Sequence, residues 1–79
     1  MHRELQKLTS REVERILRSY GFALDRTAGS HQQFVGLVRA KKHTVTVIKN
    51  QKRFAPKTLA SMMRQSGLTE QEWLEASMQ

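Results

Sequence analysis

The run Thr44-Val45-Thr46-Val47-Ile48 limits what this chain can fold into more than any other segment, because all five residues branch at Cβ. Such side chains crowd the preceding turn of a helix, whereas the pleated surface of a sheet accepts them. Residues 43–49 are therefore predicted as a strand. A strand needs partners, and two further segments, 31–39 and 22–26, carry strand patterns close by. The connections Thr27-Ala28-Gly29-Ser30 and Ala40-Lys41-Lys42 are turns too short for a parallel crossover. The prediction is an antiparallel meander of three strands.

Helix signals bracket the meander. Thr9 and Glu12 form a capping box, Leu8 and Val13 a hydrophobic staple, and Val13, Ile16, Leu17 and Tyr20 fall on one helical face. Gly21 stops that helix, and Phe22 is expected to fold back onto Leu17. Pro56 suits the first turn of a second helix, whose stripe is Leu59, Met62 and Met63 and whose stop is Gly67. Thr69 and Glu72 cap a short last helix, with Leu68 stapled to Trp73. The order α-β-β-β-α plus a C-terminal helix predicts an α+β fold with the helices on one sheet face. Alternation along the strands then directs Phe22, Leu24, Phe34, Gly36, Val38, Val45 and Val47 to the helices, together with Gln32. It directs His31, Gln33, Val35, Leu37, Thr44, Thr46 and Ile48 away from them. Val35, Leu37 and Ile48 thus form an apolar patch without helix cover, of the kind that marks a protein interface.

At 79 residues the chain is expected to be one small domain, 1–79. It has no cysteine, which removes disulfides, thiolate zinc sites and a cysteine nucleophile. The N-terminus has no apolar stretch of the signal-peptide kind, and no apolar run approaches membrane-span length. A cytosolic protein is expected. The charge is unevenly placed. Nine of the 14 Lys and Arg lie between Arg26 and Thr69, and all seven acids lie outside that interval. A one-sign field of this kind, in a chain of net charge +7, implies an anionic partner. Nucleic acid comes first, with an acidic protein or a membrane surface as the alternative.

His31 is the candidate for chemistry. It follows the Gly29-Ser30 turn inside the basic interval, and an ordinary imidazole exchanges a proton near pH ~6.5. RNA carries its own nucleophile, the 2′-hydroxyl. A proton acceptor, cations for the phosphorane charge and correct placement are then enough for cleavage. Lys49, Lys52, Arg53 and Lys57 flank the loop into the second helix and are candidate phosphate contacts. Arg39, Lys41 and Lys42 add to the field, and Ser30 and Gln33 are candidate orienting groups. His2 is assigned to a mobile terminus and His43 to a solvated turn. No histidine pair or carboxylate cluster has metal-ligand spacing, so neither metal nor cofactor is expected. A non-catalytic RNA-binding module and a module docking on an acidic protein stay open as alternatives.

Several segments in this order resemble the HicA (YcfA-like) family of small RNA-cleaving toxins. They are Lys7-Leu8-Thr9, Gly21-Phe22, Gly29-Ser30-His31-Gln32-Gln33-Phe34, Val45-Thr46-Val47, Pro56-Lys57-Thr58-Leu59 and Gln65-Ser66-Gly67-Leu68-Thr69. The resemblance implies a fold similar to double-stranded-RNA-binding domains and an mRNA endoribonuclease activity. It implies that the histidine of the Gly-Ser-His motif, His31, is the catalytic residue. It also implies a HicB-type antitoxin that covers the active site, with His31, Val35, Leu37 and Ile48 in contact. Ile48 and Asn50 stand where many members have a proline and a second histidine.

Overall fold

The computed structural model describes residues 1–79. A 3₁₀ turn, Arg3–Lys7, leads into helix α1, Ser10–Ser19. Strands β1, Ala23–Ala28, β2, His31–Val38, and β3, Lys41–Ile48, follow, and then helices α2, Pro56–Ser66, and α3, Glu70–Ser77. The strands form one antiparallel sheet in the order β1-β2-β3. This is the α+β arrangement the sequence predicts, and its helices cover one sheet face.

The helix ends behave as their residues dictate. Thr9 Oγ1 accepts from the Glu12 N–H, and the Glu12 carboxylate accepts from the Thr9 N–H. Thr69 and Glu72 repeat this box at α3. At the end of α1, Gly21 takes φ +89°. Its N–H donates to the Arg18 carbonyl and the Phe22 N–H to the Leu17 carbonyl, both at 3.0 Å, which is the Schellman pattern. That turn lays the Phe22 ring over Gly36 of β2, where an added Cβ would stand 2.7 Å from the ring. Only glycine permits so close an approach.

The hairpins are tighter than expected. Gly29 and Ser30 alone join β1 to β2, with Gly29 at φ +58°, the two-residue loop with positive φ first. Arg39 and Ala40 join β2 to β3 with φ +49° and +68°, the type I′ pattern. Lys41 and Lys42, expected in a turn, are therefore strand residues. Neither Arg39 nor Ala40 announces such a turn, because both are poor hosts for positive φ. The unbroken pairing from His31–Ile48 to Val38–Lys41 offsets that strain.

Seventeen buried apolar residues make one core. The sheet supplies Phe34, Val38, Val45 and Val47, and the helices supply Ile16, Leu17, Leu59, Met62 and Trp73 among others. Leu5 in the 3₁₀ turn is fully buried, so the N-terminal segment is packed rather than loose. His2 accepts from the Glu4 N–H at 3.1 Å and its own N–H reaches Glu70. Leu24 departs from expectation in the other direction. Its pairing with Phe34 puts it on the helix side, yet it is 40% exposed. β1 is the outer strand, none of its residues is buried, and the helices lie over β2 and β3. A bulge at Asp25 also shifts the alternation, so that Arg26 pairs with Gln33 on the face away from the helices.

The far edge, β3, is partly covered by α2. Gln65 of α2 accepts from the Thr46 N–H through its side chain, and its carbonyl lies 3.1 Å from His43 Nδ1. A carbonyl only accepts, so Nδ1 carries the proton. His43 is thus a half-buried packing residue against Gly67 rather than a solvated turn residue.

Candidate active site

His31 is the first residue of β2, between Ala28 of β1 and Ile48 of β3. Two features of the local sequence place it there. The Gly29-Ser30 loop delivers the chain into the strand in two residues. The Ser30 carbonyl then accepts from the Lys49 N–H at 2.8 Å, which ties the turn to the end of β3. The ring is exposed and lies on the face opposite the helices, as strand alternation requires. Gln33, two residues on, is half-buried on the same face and paired with Arg26 and Thr46. Arg26 was not legible as a neighbour of the histidine, because an unbulged strand would turn it to the other face. Its guanidinium binds Asp25 at 3.2 Å.

The other predicted residues divide into groups. Ser30 sits in the turn beside His31. Lys49 and Lys52 line a cleft of about 530 Å³ on the helix side of the same sheet end, together with Arg11 and Gln32. Arg53 lines a different groove, of about 310 Å³, with Arg3 and Lys7 of the 3₁₀ turn. Lys57 lies in the first turn of α2, whose N-cap, Ala55, offers no side-chain acceptor. Arg11, Arg3 and Lys7 lie outside the basic interval of the sequence, which is why that interval did not point to them. Tertiary contact brings them there: Ser10 Oγ donates to the Ile48 carbonyl at 2.8 Å and accepts from the Gln51 N–H at 2.6 Å. The start of α1 is thereby fastened to the loop after β3.

Arg39, Lys41 and Lys42 do not join this cluster. They stand at the opposite end of the β2–β3 hairpin. Arg39 is held there by a forked contact to the Glu72 carboxylate, 3.1 and 3.4 Å, and donates to the Gly67 carbonyl at 2.8 Å. The hydrogen bond from Arg39, and then the Thr69 N–H, hold the Glu72 carboxyl below the usual carboxylate range.

The uncovered face carries the expected apolar side chains. Leu37 is 70% exposed, and Val35 and Ile48 are half-buried. Ile48 is the direct cross-strand neighbour of His31. A partner covering Ile48, Val35 and Leu37 thus also covers the imidazole. No helix is long and apolar enough to cross a membrane. No curated protein gives a significant match to the chain. Residues 10–68, which include the Gly-Ser-His turn, both hairpins and α2, match the family model described as HicA toxin of bacterial toxin-antitoxin. That match spans well over half of the chain, and the chain belongs to the HicA family, the toxins of bacterial toxin–antitoxin modules.

Proposed function

We propose that this toxin is a cytoplasmic endoribonuclease that cleaves mRNA through His31, using the 2′-hydroxyl of the RNA as nucleophile. The observation that carries the reading is an exposed imidazole at the first position of the central strand, fixed by a two-residue turn and adjoining the loop after β3 that carries Lys49 and Lys52. His31 takes the 2′-hydroxyl proton as the 2′-oxygen attacks phosphorus. The bond from phosphorus to the 5′-oxygen breaks, and the proton passes from the imidazolium to that leaving oxygen. The products are a 2′,3′-cyclic phosphate and a 5′-hydroxyl. Lys49, Lys52, Arg53 and Lys57 hold phosphates, and Ser30 and Gln33 orient the scissile group. No step calls for a metal or a cofactor. Removing the one base is expected to lower the rate by about 10²–10⁴.

The antitoxin, of HicB type in this reading, docks on the outer sheet face over His31, Ile48, Val35 and Leu37. It silences the toxin by occupying the ground on which RNA must lie.

End-labelled RNA incubated in EDTA with the wild-type chain and with His31→Ala tests the nuclease. Wild type is expected to leave cyclic-phosphate ends while His31→Ala binds without cutting. Equal cleavage by both proteins rules out His31 as the base. Binding by both with cleavage by neither leaves an RNA-binding module instead. In either RNA reading six phosphate contacts cost about a thousandfold in affinity between ~50 and ~200 mM salt, and a flat response excludes both.

A further inference from the structure

The cleft on the helix side of the sheet end is distinct from the histidine face, and the proposed chemistry assigns phosphates to its Lys49 and Lys52 but gives no task to its Arg11 and Gln32. It is an open cleft of about 530 Å³ and no hydrophobic residue lines it; the volume lies within the range of roughly 300–1,000 Å³ typical of small-molecule sites. Its cations are Arg11, Lys49 and Lys52, and none of the three makes an ion pair. The one acid in the lining, Glu14, is bound to Arg18 at 2.8 Å. Of the first N–H groups of α1 only that of Arg11 is left without an acceptor. Ser10 N–H donates to the Gln51 carbonyl, Glu12 N–H to Thr9 Oγ1 and Val13 N–H to the Thr9 carbonyl, so the three cationic side chains carry most of the positive field. Gln32 reaches the cleft from β2, half-buried and without a hydrogen-bond partner for its amide. That amide offers one donor and one acceptor side by side, the arrangement that pairs with a base edge.

The position of the cleft is as informative as its chemistry. His31 and Gln32 are consecutive in β2, so they point to opposite faces with only the strand between them. Lys49 follows Ile48, the neighbour of His31, with the same reversal. We propose that the cleft is a nucleotide subsite for the residue adjoining the bond that His31 breaks. Its phosphate lies on Arg11, Lys49 and Lys52, and its base is read by Gln32. The inference rests on the ribonuclease reading above and adds two requirements to it. The RNA must turn around the end of the sheet to occupy both faces, so it must be single-stranded there, because a stiff duplex cannot make that turn. Base preference next to the cut is set from the helix side of the sheet, away from the catalytic ring.

Fluorescence anisotropy with a labelled single-stranded RNA, on the His31→Ala background, tests the phosphate half. Arg11→Ala and Lys52→Ala are each expected to weaken binding and to shrink the slope of log affinity against log salt by about 0.7. Arg64→Ala, a single-charge control at the other end of α2, is expected to leave the slope unchanged. The same sequence annealed to its complement is expected to bind less tightly. On the cleaving protein, Arg11→Ala raises KM with little change in kcat, and Gln32→Ala flattens base preference next to mapped cut sites. Unchanged slopes in both cleft variants, duplex binding equal to single strand, or unaltered base preference in Gln32→Ala overturns the subsite. Failure of the His31→Ala parent to bind RNA at low salt overturns the ribonuclease reading itself. The two failures are therefore separable.

Discussion

At the scale of single residues, the buried polar group with most at stake is Ser66, which is fully buried. Its hydroxyl donates to the Met63 carbonyl at 2.7 Å and accepts from the Leu68 N–H at 3.1 Å and the Trp73 indole N–H at 3.0 Å. One oxygen thus closes the end of α2, starts the turn into α3 and satisfies the largest core side chain. Ser66→Ala leaves two buried donors without an acceptor, each costing about 1–3 kcal/mol. A urea midpoint lowered accordingly, with the Trp73 fluorescence transition following the same curve, is the expected result. An unchanged midpoint would show that water or a shifted carbonyl replaces the hydroxyl. The Gly67 stop and the Trp73 staple are readable from spacing. The bond between Ser66 and Trp73 is not, since a serine seven residues before a tryptophan has no local signature.

At the scale of elements, the close approach of the α1–β1 connection to the sheet depends on Gly36. A Cβ there meets the Phe22 ring, itself only 3% exposed and confined by the core. Gly36→Ala is expected to destabilise by about 1–3 kcal/mol through overpacking. Phe22→Leu in the same chain should recover part of the loss, because contacting sites couple. Denaturation of the two single variants and the double variant measures this, and strict additivity would place the strain elsewhere. The two sheet edges are managed differently. α2 covers β3 and satisfies Thr46 through Gln65, whereas β1 is uncovered and carries its own bulge and the Asp25–Arg26 pair. Bulges and charges blunt an edge against pairing with other chains. The capping boxes were legible because their rule is local. The bulge was not, because it is a property of the pairing between β1 and β2.

At the scale of the whole molecule, Glu72 ties the last helix to the β2–β3 turn and to the end of α1. Its carboxylate receives Arg39 from the β2–β3 turn, and its carbonyl accepts from the Tyr20 hydroxyl at 2.7 Å. Because the folded carboxyl is held low by Arg39 and Thr69, its contribution is present above the unfolded value near ~4.3. It is lost as pH falls through the depressed folded value. Glu72→Gln should therefore unfold more readily than wild type near neutrality, with the gap closing on acidification below pH ~4.3. Urea titrations across that range check it, and a gap that persists in acid would assign the loss to packing instead. Tyr20 moves oppositely: burial, then Glu72 and Glu75, raise its phenol. Its neutral form therefore contributes below the unfolded value near ~10, and that contribution is lost as pH rises through the folded value.

The sequence by itself determined the elements, their order, the turn that presents His31 and the face on which it stands. Each follows from rules spanning a few residues: β-branching, alternation, caps and glycine stops. Tertiary structure decided which charges share a site. Arg11 and Lys52 meet because Ser10 fastens the first helix to the loop after β3, and Arg39 is withdrawn because Glu72 arrives from the last helix. Proximity between residues some forty positions apart depends on how packed elements dock, and no local preference encodes that distance.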